Sequence, residues 1–175
     1  VPTTAGIGKL SNDTPGLNDE FWADFTEEMI KFHRPETVAA FIAEPISTAN
    51  GNHVPSPAYW QRIREICDRY DVLLILGEVI TGFGRTGKMF ALDHWGVQPD
   101  MFQFAKAITS GYFPFGGIGV NDEIAAVIDS GSQVWMHCYT YSAHPVGCAV
   151  ASRNLQIIEE ERFAEQDGEK GVYLL

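Results

Sequence analysis

Two short, wholly apolar runs, Val38 to Ala43 and Val72 to Leu76, constrain the fold more than any other feature of this sequence. Each has the length of a strand, and the first lacks the polar alternation of a half-solvated one, so it is expected to be buried on both faces. Between them, Ser56-Pro57 is a capping residue followed by proline at the first helical position, and Tyr59, Ile63, Ile66 and Tyr70 then recur at helical spacing. This predicts a helix over Pro57 to Tyr70. Strand, helix, strand is the pattern of a right-handed parallel crossover, so the chain is expected to be α/β, with a mostly parallel sheet flanked by helices.

The remaining segments extend that plan. Val1 to Leu17 is rich in glycine, proline, serine and threonine and reads as an irregular connection, with Asn18 as the cap of a helix from Asp19 to Phe32. Phe21, Trp22, Phe25, Met29 and Phe32 share one face of that helix, and Pro35 ends it. Glu44-Pro45 closes the first strand and Asn50-Gly51 marks a turn. Met101 to Ala105 and Gly117 to Val120 are third and fourth strands, and Asp122 onward and Val146 to Phe163 read as helices. No internal repeat is present, and functional residues are expected where strands end.

Charge and cysteine usage exclude several classes. Twenty-three acidic against twelve basic residues give a net charge of −11, which repels nucleic acid and anionic membrane surfaces. No apolar stretch reaches the length of a membrane span. Cys67, Cys138 and Cys148 match no disulfide framework, which points to a reducing cytoplasm. His137, Cys138, His144 and Cys148 have no usual zinc spacing, so no metal site is expected. The chain begins Val1-Pro2-Thr3 and stops in the apolar run Val172 to Leu175, which reads as a fragment of a longer domain.

Two glycine motifs suggest a nucleotide. Gly82, Gly84 and Gly87 satisfy G-x-G-x-x-G after an apolar strand, and Gly82 to Lys88 satisfies G-x-x-x-x-G-K. The first requires a helix directly after it, which Gly96 and Pro99 do not sustain. The second requires a hydroxyl where Met89 stands. The competing reading is a tight irregular loop whose glycines permit backbone angles that other residues resist.

The surrounding segments favour another reading. Ile42-Ala43-Glu44-Pro45, Gly77 to Gly87, His94 to Asp100, Ala105-Lys106-Ala107-Ile108-Thr109-Ser110-Gly111, Gly116 to Val120 and Thr140 to Pro145 occur in order over most of the chain. Together they resemble the class III aminotransferases, which depend on pyridoxal 5'-phosphate. The resemblance implies the central part of the large domain of a fold-type I transferase, without the N-terminal segment or the small C-terminal domain.

By this resemblance Lys106 is the lysine that binds the cofactor aldehyde and shuttles the substrate proton. Its place after a strand and among small residues suits a desolvated amine. Val79 packs on the cofactor ring, and Thr140 reaches the cofactor phosphate across the interface of a homodimer. Where the family places an aspartate on the ring nitrogen, this chain has Gly77. Glu78 lies on the other side of the strand from positions 77 and 79 and does not replace that aspartate. Glu44, Glu78 and Arg85 are possible supporting residues.

The implied activity is transfer of an amino group from an amine or ω-amino acid to a keto acid such as pyruvate, impaired here by Gly77. Two alternatives stand beside it. One is a catalytically inactive remnant, favoured by Gly77, and the other is a nucleotide-binding α/β domain, favoured by the glycine motifs.

Overall fold

The computed structural model describes residues 19–131 and 137–174. The expected cap Asn18 and the segment Val1 to Leu17, read from the sequence as an irregular connection, lie outside them. The chain forms two compact units, one of Val1–Gly77 and Ala91–Pro99, the other of Glu78–Phe90 and Asp100–Leu175.

The first unit begins with helix α1 (Asp19–Phe32), a short 3-10 turn at Pro35–Thr37, and strand β1 (Ala40–Ala43). Helix α2 (Pro57–Tyr70) and strand β2 (Leu73–Gly77) follow. Both helices have the expected bounds. Ser56 caps α2 by accepting a hydrogen bond from the Tyr59 amide at 3.3 Å, and the Asp19 carboxylate accepts from the Ser56 amide at 2.6 Å. That second bond ties the start of one helix to the start of the other.

β1 and β2 are parallel, with Phe41 opposite Leu74 and Ala43 opposite Leu76. The first strand begins two residues later than the apolar run suggests. It is also buried on one face rather than two, because Phe41 enters the core while Ile42 is 60% exposed. The core of this unit lies on the Phe41 side. Trp60, Ile63, Ile66 and Cys67 from α2 meet Leu74 and Leu76 from β2 and Ala23 and Ile30 from α1. A buried aliphatic side chain of this kind stabilises by about 1.5–3 kcal/mol. Trp60 stacks on Trp95 and donates its indole N–H to the Pro45 carbonyl at 3.2 Å, so its one polar atom is satisfied.

In α1 the buried residues are Ala23, Thr26, Glu27 and Ile30. Phe21, Phe25 and Phe32, which share the apolar face read from the sequence, are exposed. A carboxylate inside a helix pair needs partners. Glu27 receives hydrogen bonds from the Tyr70 hydroxyl at 2.7 Å and from Arg69 and Arg62 at 2.9 Å each, with Lys31 at 3.5 Å.

The second unit contains β3 (Met101–Phe104) and β4 (Gly117–Val120), paired antiparallel, so the strand set of the chain is mixed. Phe102 faces Gly119 and Phe104 faces Gly117 across the pair. A Cβ on Gly119 would stand 2.1 Å from the Phe102 ring, and one on Gly117 would stand 2.6 Å from the Phe104 ring. The rings therefore occupy the space that side chains on β4 would need. Phe83 and Phe90 pack edge-on against Phe104 and Phe102, with ring centroids 5.8 and 5.0 Å apart.

Helix α3 (Asp122–Asp129) starts at Asn121, whose side chain accepts from the Ile124 amide at 2.9 Å. The helix expected from Val146 to Phe163 is α4 (Pro145–Glu160), ending three residues earlier, and a further helix that the sequence reading did not include, α5 (Phe163–Leu174), follows it. They are separated at Arg162, whose φ of 53° lies in the left-handed region and breaks helical continuity. No described helix is long and apolar enough to cross a membrane.

Glu27 gives the first unit a pH dependence with a defined sign. The Tyr70 hydroxyl, helped by Lys31 and Arg69, holds its carboxyl below the ordinary 4.5 against the opposing effect of burial. The contribution is therefore present above pH 4.5 and is lost as pH falls through the folded value. Glu27→Ala is expected to cost about 1.5–3 kcal/mol near neutrality, and Tyr70→Phe is expected to move acid unfolding to higher pH. Urea unfolding measured from pH 3 to pH 7, a span of about 4 units around the ordinary carboxylate range, checks both.

Candidate active site

The backbone leaves β3 at Ala105 and turns at once. Lys106 opens a 3-10 turn, Lys106–Ile108, with a φ of 47°. A non-glycine residue in this left-handed region costs about 1–2 kcal/mol and persists only where its surroundings hold it. The turn is closed by the Ile108 amide donating to the Ala105 carbonyl and the Thr109 amide donating to Lys106, each at 3.2 Å. Thr109 is buried and donates its hydroxyl to the Phe113 carbonyl at 2.6 Å. Ser110, with a φ of 49°, and Gly111, with a φ of 82°, then reverse the chain.

The Lys106 side chain is exposed within the described residues. The desolvated setting suggested by its small neighbours is therefore not what this unit alone provides. Its backbone is fixed while its amine is open to a partner molecule.

Glu78, just beyond β2, is 2% exposed, and its amide donates to the Gln103 carbonyl at 2.9 Å. Its carboxylate accepts a short hydrogen bond from the Thr81 hydroxyl. Val79 is half-buried at the start of the turns that follow, Arg85 is exposed farther along them, and Thr140 is exposed in a turn ahead of α4. Glu44 is exposed after β1 and accepts from the Thr48 amide at 3.1 Å.

The glycine loop is a closed turn and not a phosphate cradle. The Phe83 and Gly84 amides donate to the Met89 carbonyl, and the Gly87 amide donates to Gly84. A phosphate-binding loop needs such amides free to face the ligand and an α-helix directly after it, whereas the next element here is a short 3-10 turn, Ala91–His94. Each glycine has a local cause. A Cβ on Gly82 would stand 2.8 Å from the Glu78 carbonyl oxygen. Gly84 and Gly87 have φ of 95° and 87° and lie against the backbone of Ala164 and Gly168 on α5. This removes the support for the nucleotide reading.

Gly77 is different. Its φ is outside the left-handed region, and a Cβ there would meet the Ala43 carbonyl oxygen at 3.7 Å and Glu44 Cγ at 3.8 Å, both ordinary contacts. Nothing in the fold of this unit requires glycine at that position. Among the described residues, no three histidine, cysteine, aspartate or glutamate side chains gather to hold a metal ion.

Residues 8–175 match the family profile described as Aminotransferase class-III. The chain belongs to the class III aminotransferase family. It is 49% identical over 160 residues to the putrescine–pyruvate aminotransferase of Pseudomonas aeruginosa, a match covering 91% of this chain and 34% of that protein. It superposes with a TM-score of 0.87 and 49% identity on a thermostable (S)-enantioselective ω-transaminase from Thermomicrobium roseum, covering all of this chain and 39% of that one. A PLP-bound amine transaminase from an uncultivated Pseudomonas species gives a TM-score of 0.86 at 44% identity, covering 90% of this chain and 36% of that one. The chain thus spans about a third of the length of these class III aminotransferases.

The sequence did not single out Asn154, a residue of α4 that bonds to the turn after Lys106. An asparagine inside a helix carries no periodicity signal, and its partners lie more than forty residues away.

The contrast between the two glycines is measurable. Gly77→Ala is expected to stabilise the chain by about 0.4–1 kcal/mol, because it restricts the unfolded chain while its Cβ makes only ordinary contacts. Gly82→Ala is expected to destabilise it by about 1–3 kcal/mol, because the Glu78 carbonyl must shift. Urea unfolding midpoints of the two variants test both.

Proposed function

We propose that this chain is the central, cofactor-binding part of an aminotransferase that moves an amino group from an amine or ω-amino acid to a keto acid such as pyruvate. It would act as a homodimer, with three cysteines that form no disulfide suiting a reducing cytoplasm. The observation that carries this reading is Lys106, presented at the end of β3 on a left-handed backbone with its amine exposed. The name of the P. aeruginosa relative supports an amine donor and pyruvate as acceptor.

These residues suit pyridoxal phosphate in part. When bound, that group supplies the electron sink for loss of the substrate proton. Lys106 Nζ anchors it and, as a free amine, takes up and returns that proton. Val79 would pack against the ring, and Thr140 would hold the phosphate from across a dimer interface. Arg85 and Glu44 would support these positions. Gly77 supplies no acceptor for a protonated ring nitrogen. Glu78, buried and bonded to Thr81, is engaged elsewhere.

Gly77 also favours a second reading, a remnant that binds the cofactor without efficient turnover. Losing a charge-assisted hydrogen bond removes about 1.5–3 kcal/mol, a rate loss of roughly ten- to a hundredfold.

The test takes the full-length protein, incubates it with pyridoxal phosphate, reduces with borohydride and maps the modified peptide. Modification concentrated at Lys106 is the expected result, and none at Lys106 overturns the reading. Turnover of an amine with pyruvate separates enzyme from remnant. Gly77→Asp is expected to raise the half-reaction rate about ten- to a hundredfold.

A further inference from the structure

The turn that presents Lys106 is held from outside its own segment by one side chain. Asn154 Nδ2 donates to the Ala107 carbonyl at 2.8 Å and to the Ile108 carbonyl at 3.1 Å. Its Oδ1 accepts from the Ser110 hydroxyl at 2.8 Å. Two of the bonds fall between two left-handed non-glycine residues, Lys106 and Ser110, and the third falls on the Ser110 side chain. Such a backbone relaxes unless something fixes it.

The chemistry of the amide suits that task. Asparagine has two N–H donors on one nitrogen, and here they serve the carbonyls of two consecutive residues. The opposite amide orientation would set its oxygen against both carbonyl oxygens, so these neighbours define how the amide points. Alanine, serine and aspartate lack the paired donor. Asn154 itself sits in the third turn of α4, a sixteen-residue helix, and is therefore carried on a rigid element.

We propose that Asn154 is a positioning residue for Lys106, holding the 107–110 backbone so that the lysine amine is presented at the end of β3. The proposal rests on the reading of Lys106 as the cofactor-anchoring lysine. Asn154 touches neither substrate nor cofactor and acts through the turn.

The experiment uses the full-length protein, pyridoxal phosphate and borohydride, and compares modification of Lys106 with that of Lys31 and Lys88. Asn154→Ala is expected to lower the Lys106 fraction about ten- to a hundredfold, the scale of a small misplacement of a reacting group, with Lys31 and Lys88 unchanged. Asn154→Asp keeps the acceptor for Ser110 but has no donor for Ala107 and Ile108, and is expected to behave like the alanine variant. It carries the test if the alanine variant does not fold. Asn121→Ala is the control, since it removes bonds to Asp100 and to the Ile124 amide in the same unit. It is expected to leave Lys106 modification at the wild-type level. Wild-type modification of Lys106 in a folded Asn154 variant, or an equal loss in Asn121→Ala, overturns the proposal. A wild-type protein unmodified at Lys106 overturns the underlying reading instead, so the two failures are distinct.

Discussion

The rings of Phe102 and Phe104 lie over Gly119 and Gly117, where a Cβ would approach to 2.1 and 2.6 Å. Much of the second unit depends on this arrangement. It brings β4 against β3 with no side chain between ring and backbone, and it gives Phe83 and Phe90 a surface to pack on. The loop carrying those two phenylalanines is closed by its own amides, so the aromatic cluster and the glycine turns form one packed piece. The end of β3 is thereby fixed in direction, and the chain leaves it through Ala105 into the strained backbone of Lys106. Strain of this kind requires a rigid base.

The first unit is held by different means. Its apolar core sits between α2 and one face of the β1/β2 pair, and Glu27 adds a buried carboxylate satisfied by a hydroxyl and two guanidinium groups. Such a cluster adds little net stability over apolar packing, but removing a donor is costly, because Glu27 itself stays buried with fewer partners. It fixes the register of α1 on α2, an arrangement that apolar contacts alone specify loosely. Gly77, at the end of β2, is a glycine that no backbone angle or close neighbour demands. On the proposed reading its consequence is chemical and not architectural, since the chain would lack a carboxylate to hold the nitrogen of the cofactor ring.

Short apolar runs, a capped helix and turn residues determined the α/β class, the bounds of α1 and α2 and the four strands to within two residues, because these depend on local periodicity and capping. The ordered motifs around Lys106 determined the family. The sequence could not decide which apolar residues of α1 are covered, since Phe21, Phe25 and Phe32 are as apolar as Ile30 and only packing separates them. Nor could it decide whether the glycines at 82, 84 and 87 cradle a phosphate or close a turn, because both uses exploit the same backbone freedom. Tertiary structure settled that through the Met89 carbonyl and the approach of α5. The hold of Asn154 on the turn after Lys106 was likewise decided only by the fold, because a hydrogen bond between residues more than forty positions apart leaves no periodic trace in a single sequence.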